Sequence, residues 1–292
     1  MPEPGTTIVQ IEGRRLKLSS LDKVMYPATE TTKAEVLDYY ARIAPVMLPH
    51  LAQRPVTRVR WPHGVEDPTM FFEKNLPSGA PSWLRSVAID DVTYPFVDDL
   101  PALTYLANLN SLEFHVPQWQ VDEDGDRLNP DRLVIDLDPG KPAGLHECAV
   151  VALHLRERLG TLGLDLFPVT SGSKGMQLYA ALGGDLTSEQ VRDLAQQLAQ
   201  EMTKKHPDLV LWKMTKSLRP GKVFLDWSQN VAAKTTICPY SLRGRELPRV
   251  AAPRTWAEIE AGAERPGALE HVMFDEVLDR VAEHGDLLAD LL

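Results

Sequence analysis

Leu133-Val134-Ile135-Asp136-Leu137-Asp138-Pro139-Gly140 is the stretch on which the fold turns. Three apolar β-formers lead in and a Pro-Gly pair ends the run, which predicts a buried strand stopping at residue 138. Side chains alternate along a strand, so Asp136 and Asp138 share one face while Ile135 and Leu137 face the core. Two carboxylates then stand close together at the end of an apolar element. Like charges at that range resist joint ionisation unless a cation offsets them. Hard divalent ions such as magnesium and manganese prefer carboxylate oxygens, so a metal is the sharp reading. Two solvated aspartates at a strand end are the bland one, because D-x-D is short and common.

Working outward, the same logic recurs in Val223-Phe224-Leu225-Asp226-Trp227, where an apolar strand after the turn at 217–222 delivers one more carboxylate. Between these segments, residues 166–170 and 176–182 read as two strands joined by Ser171-Gly172-Ser173-Lys174-Gly175. Small residues with one lysine let backbone amides approach an anion, which suits a triphosphate. The spacing is not that of a Walker A loop, and no helix follows it. Leu145, Cys148, Ala152, Leu155 and Leu159 mark a helix ending at Gly160. Thr187 and Gln190 cap another, with Val191, Leu194, Leu198 and Met202 inward.

The N-terminal half carries a different chemistry. Residues 1–7 read as a loose tail and 8–18 as a hairpin. Thr32 and Glu35 have capping-box spacing, and Val36, Tyr40, Ile43 and Met47 follow on one helical face. Lys33 in the first turn has the wrong sign for a helix N-terminus. It makes sense if free backbone N–H groups, Lys33 and Lys23 together grip a phosphate; a solvated surface lysine is the bland alternative. Residues 55–61 read as a strand, with Arg58 and Arg60 on one face. Phe71 and Phe72 cannot both face one side of a strand, so at least one is available to stack on unpaired bases, against the default of core burial. Residues 87–97 predict a strand or hairpin, 100–110 a short helix, and 112–116 a strand bearing His115. A lone strand histidine is more often structural than functional. Asp122-Glu123-Asp124-Gly125-Asp126 lacks calcium-loop spacing and is a polar turn. Helices at 256–261 and 274–292 close the chain as packing elements.

The 292 residues suffice for one large or two medium domains. A formal net charge of -10 argues against an indiscriminate nucleic-acid coat. It leaves room for a local basic groove, and cations do concentrate at 54–60, 213–222 and 234–249. No apolar run approaches the ~20 residues of a membrane span, and no signal segment is evident. Cys148 and Cys238 fit no metal or redox spacing, so reduced core thiols in a cytoplasmic protein are expected. Three strand-borne carboxylates, a lysine loop and scattered cations suit nucleotidyl transfer on two metals about 3.5–4 Å apart. A nuclease or phosphatase could use similar carboxylates with less need of cations for a triphosphate.

The motifs combined resemble the polymerase domain of bacterial ligase D, a member of the archaeo-eukaryotic primase superfamily. Those carrying the resemblance are Val134 to Gly140, Thr170 to Gly175, Met214 to Arg219 and Val223 to Asn230. Further matches are Asp22-Lys23-Val24 with Tyr26-Pro27, Phe71 to Lys74, His115 to Trp119, and Pro239 to Arg245. The resemblance covers nearly the whole chain. It implies an α/β (α+β) primase-like core: two packed α/β parts, one with an RNA-recognition-like sheet, and a catalytic cleft between them. One catalytic unit would span 1–292, with an N-terminal part to about 130, a metal-bearing part over 131–250, and C-terminal helices from 251 packing back.

Carried over residue by residue, the resemblance implies that Asp136, Asp138 and Asp226 hold two manganese or magnesium ions. His115, Ser171, Lys174, Arg219, Arg243 and Gln229 would contact the incoming nucleotide. Lys23 and Lys33 would bind a DNA 5′ phosphate, while Phe71 and Phe72 would stack on DNA at the break. The family favours ribonucleotides over deoxyribonucleotides and fills gaps or extends ends during non-homologous end joining, with Ku and a DNA ligase as partners and no membrane. A primase starting strands de novo, or a non-catalytic module bridging DNA ends, are the alternatives. Gln177 stands where the family usually has a histidine, and no K-x-D-G ligase nucleophile is present.

Overall fold

The computed structural model describes residues 5–292, so most of the expected tail falls outside the described residues. β1 (Thr6–Ile11) and β2 (Arg14–Ser19) form the expected hairpin, which begins earlier than the pattern suggested because Thr6 already pairs with Ser19. β3 (Val24–Tyr26) and β4 (Thr31–Thr32) then lead into α1 (Lys33–Leu51). Its capping box is present as read, and Val36, Tyr40, Ile43 and Met47 are all buried. There follow β5 (Thr57–Arg60), β6 (Phe71–Glu73), the hairpin β7 (Ser86–Ile89) and β8 (Val92–Pro95), and α2 (Leu100–Asn108). β9 (Ser111–Val116) and the pair β10 (Trp119–Val121) and β11 (Arg127–Pro130) complete this half.

The second half opens with β12 (Arg132–Pro139), which runs one residue past the expected stop. α3 (Leu145–Gly160), β13 (Phe167–Thr170), β14 (Met176–Ala181) and α4 (Ser188–Lys205) follow much as the periodicity predicts. β15 (Val210–Leu211), β16 (Val223–Asp226), β17 (Thr236–Ile237), β18 (Ala252–Pro253) and α5 (Trp256–Glu264) come next. α6 (Phe274–His284) is shorter than the expected 274–292. Gly285 ends it at a φ of 68°, and the chain turns back so that Asp286 accepts hydrogen bonds from Tyr240 and His50.

Two sheets organise the molecule. One has the order β17-β9-β5-β6 and shares a core with α1 and α2. The other has the order β15-β16-β12-β14-β13-β18, antiparallel except for β15 beside β16. Leu133, Ile135 and Leu137 of β12 pack with α3 and α4 on one face of this sheet. Alternation therefore turns Asp136 and Asp138 to the opposite face, as the sequence requires. The chain crosses between sheets after β16: β17 pairs with β9, so Thr236 meets Val116 and Ile237 meets His115. That crossing carries the loop after Asp226 towards the strand of His115. Cys148 and Cys238 are both free and buried.

Candidate active site

Register builds the acidic part of the site. Asp136 on β12 pairs directly with Asp226 on β16, and on its other side with Gln177 on β14. One row across three adjacent strands thus reads Asp226, Asp136, Gln177, with Asp138 two residues further along β12. Asp136 and Asp226 accept hydrogen bonds, and Asp138 faces a cation. Gln177 Nε2 donates to Asp136 Oδ1 at 2.8 Å. Asp226 Oδ1 accepts from the Ser228 amide at 3.1 Å and the Ser228 hydroxyl at 2.5 Å, and Oδ2 accepts from Gln229 Nε2 at 3.0 Å. Lys234 Nζ lies 3.9 Å from Asp226, and Arg219 Nη1 lies 3.6 Å from Asp138.

The electrostatic consequence is a strained cluster. Asp136 is pushed up to about 7, first by burial and then by the charges of Asp138 and Asp226, against its bond to Gln177. Asp138 is also raised, chiefly by burial, although Arg219 and Lys174 oppose the shift. Among the described residues no group of three or more His, Cys, Asp or Glu side chains is arranged to hold a metal ion by itself. The donor set nevertheless fits a hard divalent ion: oxygen-only ligands in excess negative charge, with coordination left for water or substrate to complete.

The lysine loop lies against this row because two glycines permit it. A Cβ on Gly175 would stand 1.8 Å from the Leu137 carbonyl oxygen, so only glycine lets the loop touch β12. Gly172 has a φ of 68°, and its Cβ would press on Arg243 and Val250. Within the loop, the Ser171 hydroxyl accepts from the amides of Ser173 and Lys174. Those amides are turned inward, contrary to the expectation that they would face an anion. Lys174, Arg245 and Arg249, together with Glu246, line a hollow of about 350 Å³ beside the loop.

His115 reaches the site through a residue that sequence reasoning passed over. Glu113, 5% exposed, accepts from His115 Nε2 at 2.8 Å and from the Gly244 amide at 3.0 Å, and lies 3.3 Å from Arg243 Nη1. Burial raises its pKa, but the bonds and charges of His115 and Arg243 win and hold it at about 2. The only signal in the sequence was a carboxylate two residues before His115, on the same strand face. Asn230 was also passed over. Its side chain accepts from the Val134 amide and donates to the Val134 carbonyl, extending the β12 ladder beyond the end of β16.

Phe71 and Phe72 are 47% and 53% exposed. Both are open because β6 is the edge strand of its sheet. Arg58 and Arg60 both pair with Glu73 and pin β6 in place, and the Phe72 ring lies 6.1 Å from His115. The aromatic pair therefore borders the nucleotide candidates. Lys23 and Lys33 also come together, but not as a solvated surface. Lys33 is 2% exposed, donates to the Ser19 carbonyl at 2.7 Å, and is lowered to about 8 by burial and then by Lys23. Lys23 donates to the Pro62 carbonyl. The expected free helix N–H groups are not there. The Lys33 and Ala34 amides donate to the Lys23 and Leu21 carbonyls, and Glu35 N donates to Thr32. Any anion at this end meets the two side chains.

Known proteins resemble this chain. A family model described as the LigD primase-polymerase domain matches residues 32–288. The multifunctional non-homologous end joining protein LigD of Mycolicibacterium smegmatis is 53% identical over 281 residues, covering 95% of this chain and 36% of that relative. The bifunctional protein LigD of Bacillus subtilis is 34% identical over 274 residues, covering 93% of this chain and 43% of the relative. The chain thus spans 36–43% of the length of these curated relatives. A solved polymerase domain of Mycobacterium tuberculosis ligase D in complex with DNA aligns with a TM-score of 0.90 at 48% identity, covering 95% of this chain and 98% of that one.

Proposed function

Since the chain belongs to the LigD primase-polymerase domain family, we propose that it is a template-directed nucleotidyltransferase acting at DNA breaks during end joining. The observation that carries this reading is the in-register pair Asp136 and Asp226, with Asp138 beside it and Arg219 and Lys174 facing it. Its substrates are a primed DNA gap, overhang or break with a 5′ phosphate, and a nucleoside triphosphate, with ribonucleotides favoured. Ku and a DNA ligase activity are the partners it would serve in the cytosol.

In the reaction, the primer 3′ oxygen forms a bond to the α-phosphorus while the bond from that phosphorus to the leaving pyrophosphate breaks. Asp136, Asp138 and Asp226 would hold two manganese or magnesium ions. Such ions lower the pKa of the attacking hydroxyl and offset charge on the phosphates. Lys174, Arg219 and Arg243 would take up the charge of the departing pyrophosphate. His115, Ser171 and Gln229 would contact the nucleotide, and Phe71 and Phe72 would stack on bases at the break. Lys23 and Lys33 would bind the 5′ phosphate across the gap.

One assay tests this. With manganese and a primed, 5′-phosphorylated gap, the wild type adds nucleotides. Asp136→Ala combined with Asp226→Ala stops addition while leaving DNA-end binding intact. A wild type that binds ends and adds nothing would establish an end-bridging module instead. Dinucleotide synthesis without a primer would mark a primase.

A further inference from the structure

We propose that Gln177 is a positioning residue that aims the Asp136 carboxylate through a neutral hydrogen bond, and so sets the affinity of the acidic row for divalent cations. The inference rests on the polymerase reading but concerns a residue for which the resemblance gives no role, since the family usually places histidine there.

Geometry carries it. Asp136 is the middle member of the three-strand row, and Gln177 is its direct partner on β14. The amide presents Nε2 to Asp136 Oδ1 at 2.8 Å, the orientation that a metal-binding, ionised carboxylate requires, and turns Oε1 away. Oε1 is then buried with no donor, in a side chain only 6% exposed. Leucine would fill similar space without burying an unpaired acceptor, so volume alone does not account for glutamine here. The hydrogen bond to Asp136 does.

The kind of donor matters as much as its position. Asp138 has the Arg219 guanidinium 3.6 Å away, and Asp226 has the Lys234 ammonium at 3.9 Å. Both cations partly neutralise the carboxylate they face. Asp136 receives its hydrogen bond from an amide, which gives direction without charge. Its negative charge therefore stays available to a bound cation, while its orientation is fixed by the partner strand. Donors of this kind behind metal-binding side chains typically change metal affinity or activity about 10–100-fold when removed.

The test compares wild type, Gln177→Leu and Gln177→His by manganese titration followed by electron paramagnetic resonance, with melting temperature and single-nucleotide addition alongside. Gln177→Leu is expected to weaken manganese binding by about 10–100-fold. It should lower kcat in parallel while leaving the melting temperature and the nucleotide KM at saturating metal nearly unchanged. Gln177→His, whose ring N–H can donate to the same oxygen, should recover most of the affinity. If Gln177→Leu does not fold, Gln177→Asn keeps the amide one methylene short and carries the same expectation. Wild-type manganese affinity in a folded Gln177→Leu protein would overturn the inference and leave the polymerase reading standing. A folded Gln177→His variant as weak as Gln177→Leu would do the same. Wild type that neither binds manganese nor adds nucleotide would remove both.

Discussion

The acidic row and the lysine pair present one electrostatic problem with opposite signs. At one, Asp136 is driven up to about 7 by burial and by Asp138 and Asp226. At the other, Lys33 is driven down to about 8 by burial and by Lys23. Each group is pushed towards neutrality by a neighbour of its own charge, and each cluster is relieved by an ion of the other sign. A third cluster behaves differently. Glu113 lies between His115 and Arg243, and its charge is balanced within the protein, which holds it at about 2. The first two clusters keep an uncompensated charge of one sign, while the third is neutralised by its own neighbours. Substitutions should separate the two classes, because removing charge stabilises the first and damages the second.

The largest effect is expected at Asp136. Asp136→Asn removes the charge at the centre of the row, so nucleotide addition should fall by about a thousandfold or more, as metal-centred stabilisation of the reacting phosphate is lost. In metal-free buffer the same variant should melt higher than wild type by about 2 °C, the shift that roughly 1 kcal/mol produces in a protein of this size. Added manganese should raise the melting temperature of wild type more than that of the variant. A variant that melts lower without metal would break the comparison, since the row would then not be strained.

Glu113→Gln should act in the reverse sense and somewhat less strongly. The fall from the ordinary carboxylate value of 4.5 to about 2 corresponds to about 3 kcal/mol of stability. Because the folded value is the lower one, that stability is present above pH 4.5 and fades as pH falls towards 2. Urea unfolding at pH 7 should therefore show the variant less stable by about that amount, with the gap closing in acid. Equal stability at pH 7 would mean that His115 and Arg243 do not rely on this carboxylate.

How far each cluster could be read from sequence follows from what places it. Strand alternation and an apolar lead-in were enough to put Asp136, Asp138 and Asp226 on apolar strands, because period-2 geometry is local. That Asp136 and Asp226 are cross-strand neighbours depends on the order of β16, β12 and β14, which no local pattern specifies. Glu113 was invisible because its partners, Arg243 and Gly244, lie about 130 residues downstream on the chain. The N-terminus of α1 was legible as a capping box, yet the fate of its amides was not. Lys23 and Leu21 supply their acceptors through a loop without periodicity. The sign of Lys33 in the first turn was enough to suggest a phosphate at Lys33 and Lys23, and the resemblance narrowed it to a DNA 5′ phosphate.

The lysine pair gives the smallest effect. Lys33→Met replaces a buried ammonium by an apolar chain of similar length, so the fold should keep its stability to within about 1 kcal/mol, the Ser19 carbonyl losing one donor. Preference for a 5′ phosphate over a 5′ hydroxyl should fall by about 10-fold, the worth of one charge-assisted bond. Wild type should show the same dependence through pH. Below about 8 Lys33 is charged before DNA arrives; above it, the free protein must take up a proton on binding. Linkage then caps the loss of phosphate preference at about tenfold per pH unit above 8, with no slope from this group near pH 7. Fluorescence anisotropy with matched 5′-phosphate and 5′-hydroxyl gaps would measure it, and Lys33→Met should flatten the profile. A wild-type profile already flat from pH 7 to 9 would show that Lys33 does not meet the phosphate, leaving Lys23 as the remaining candidate.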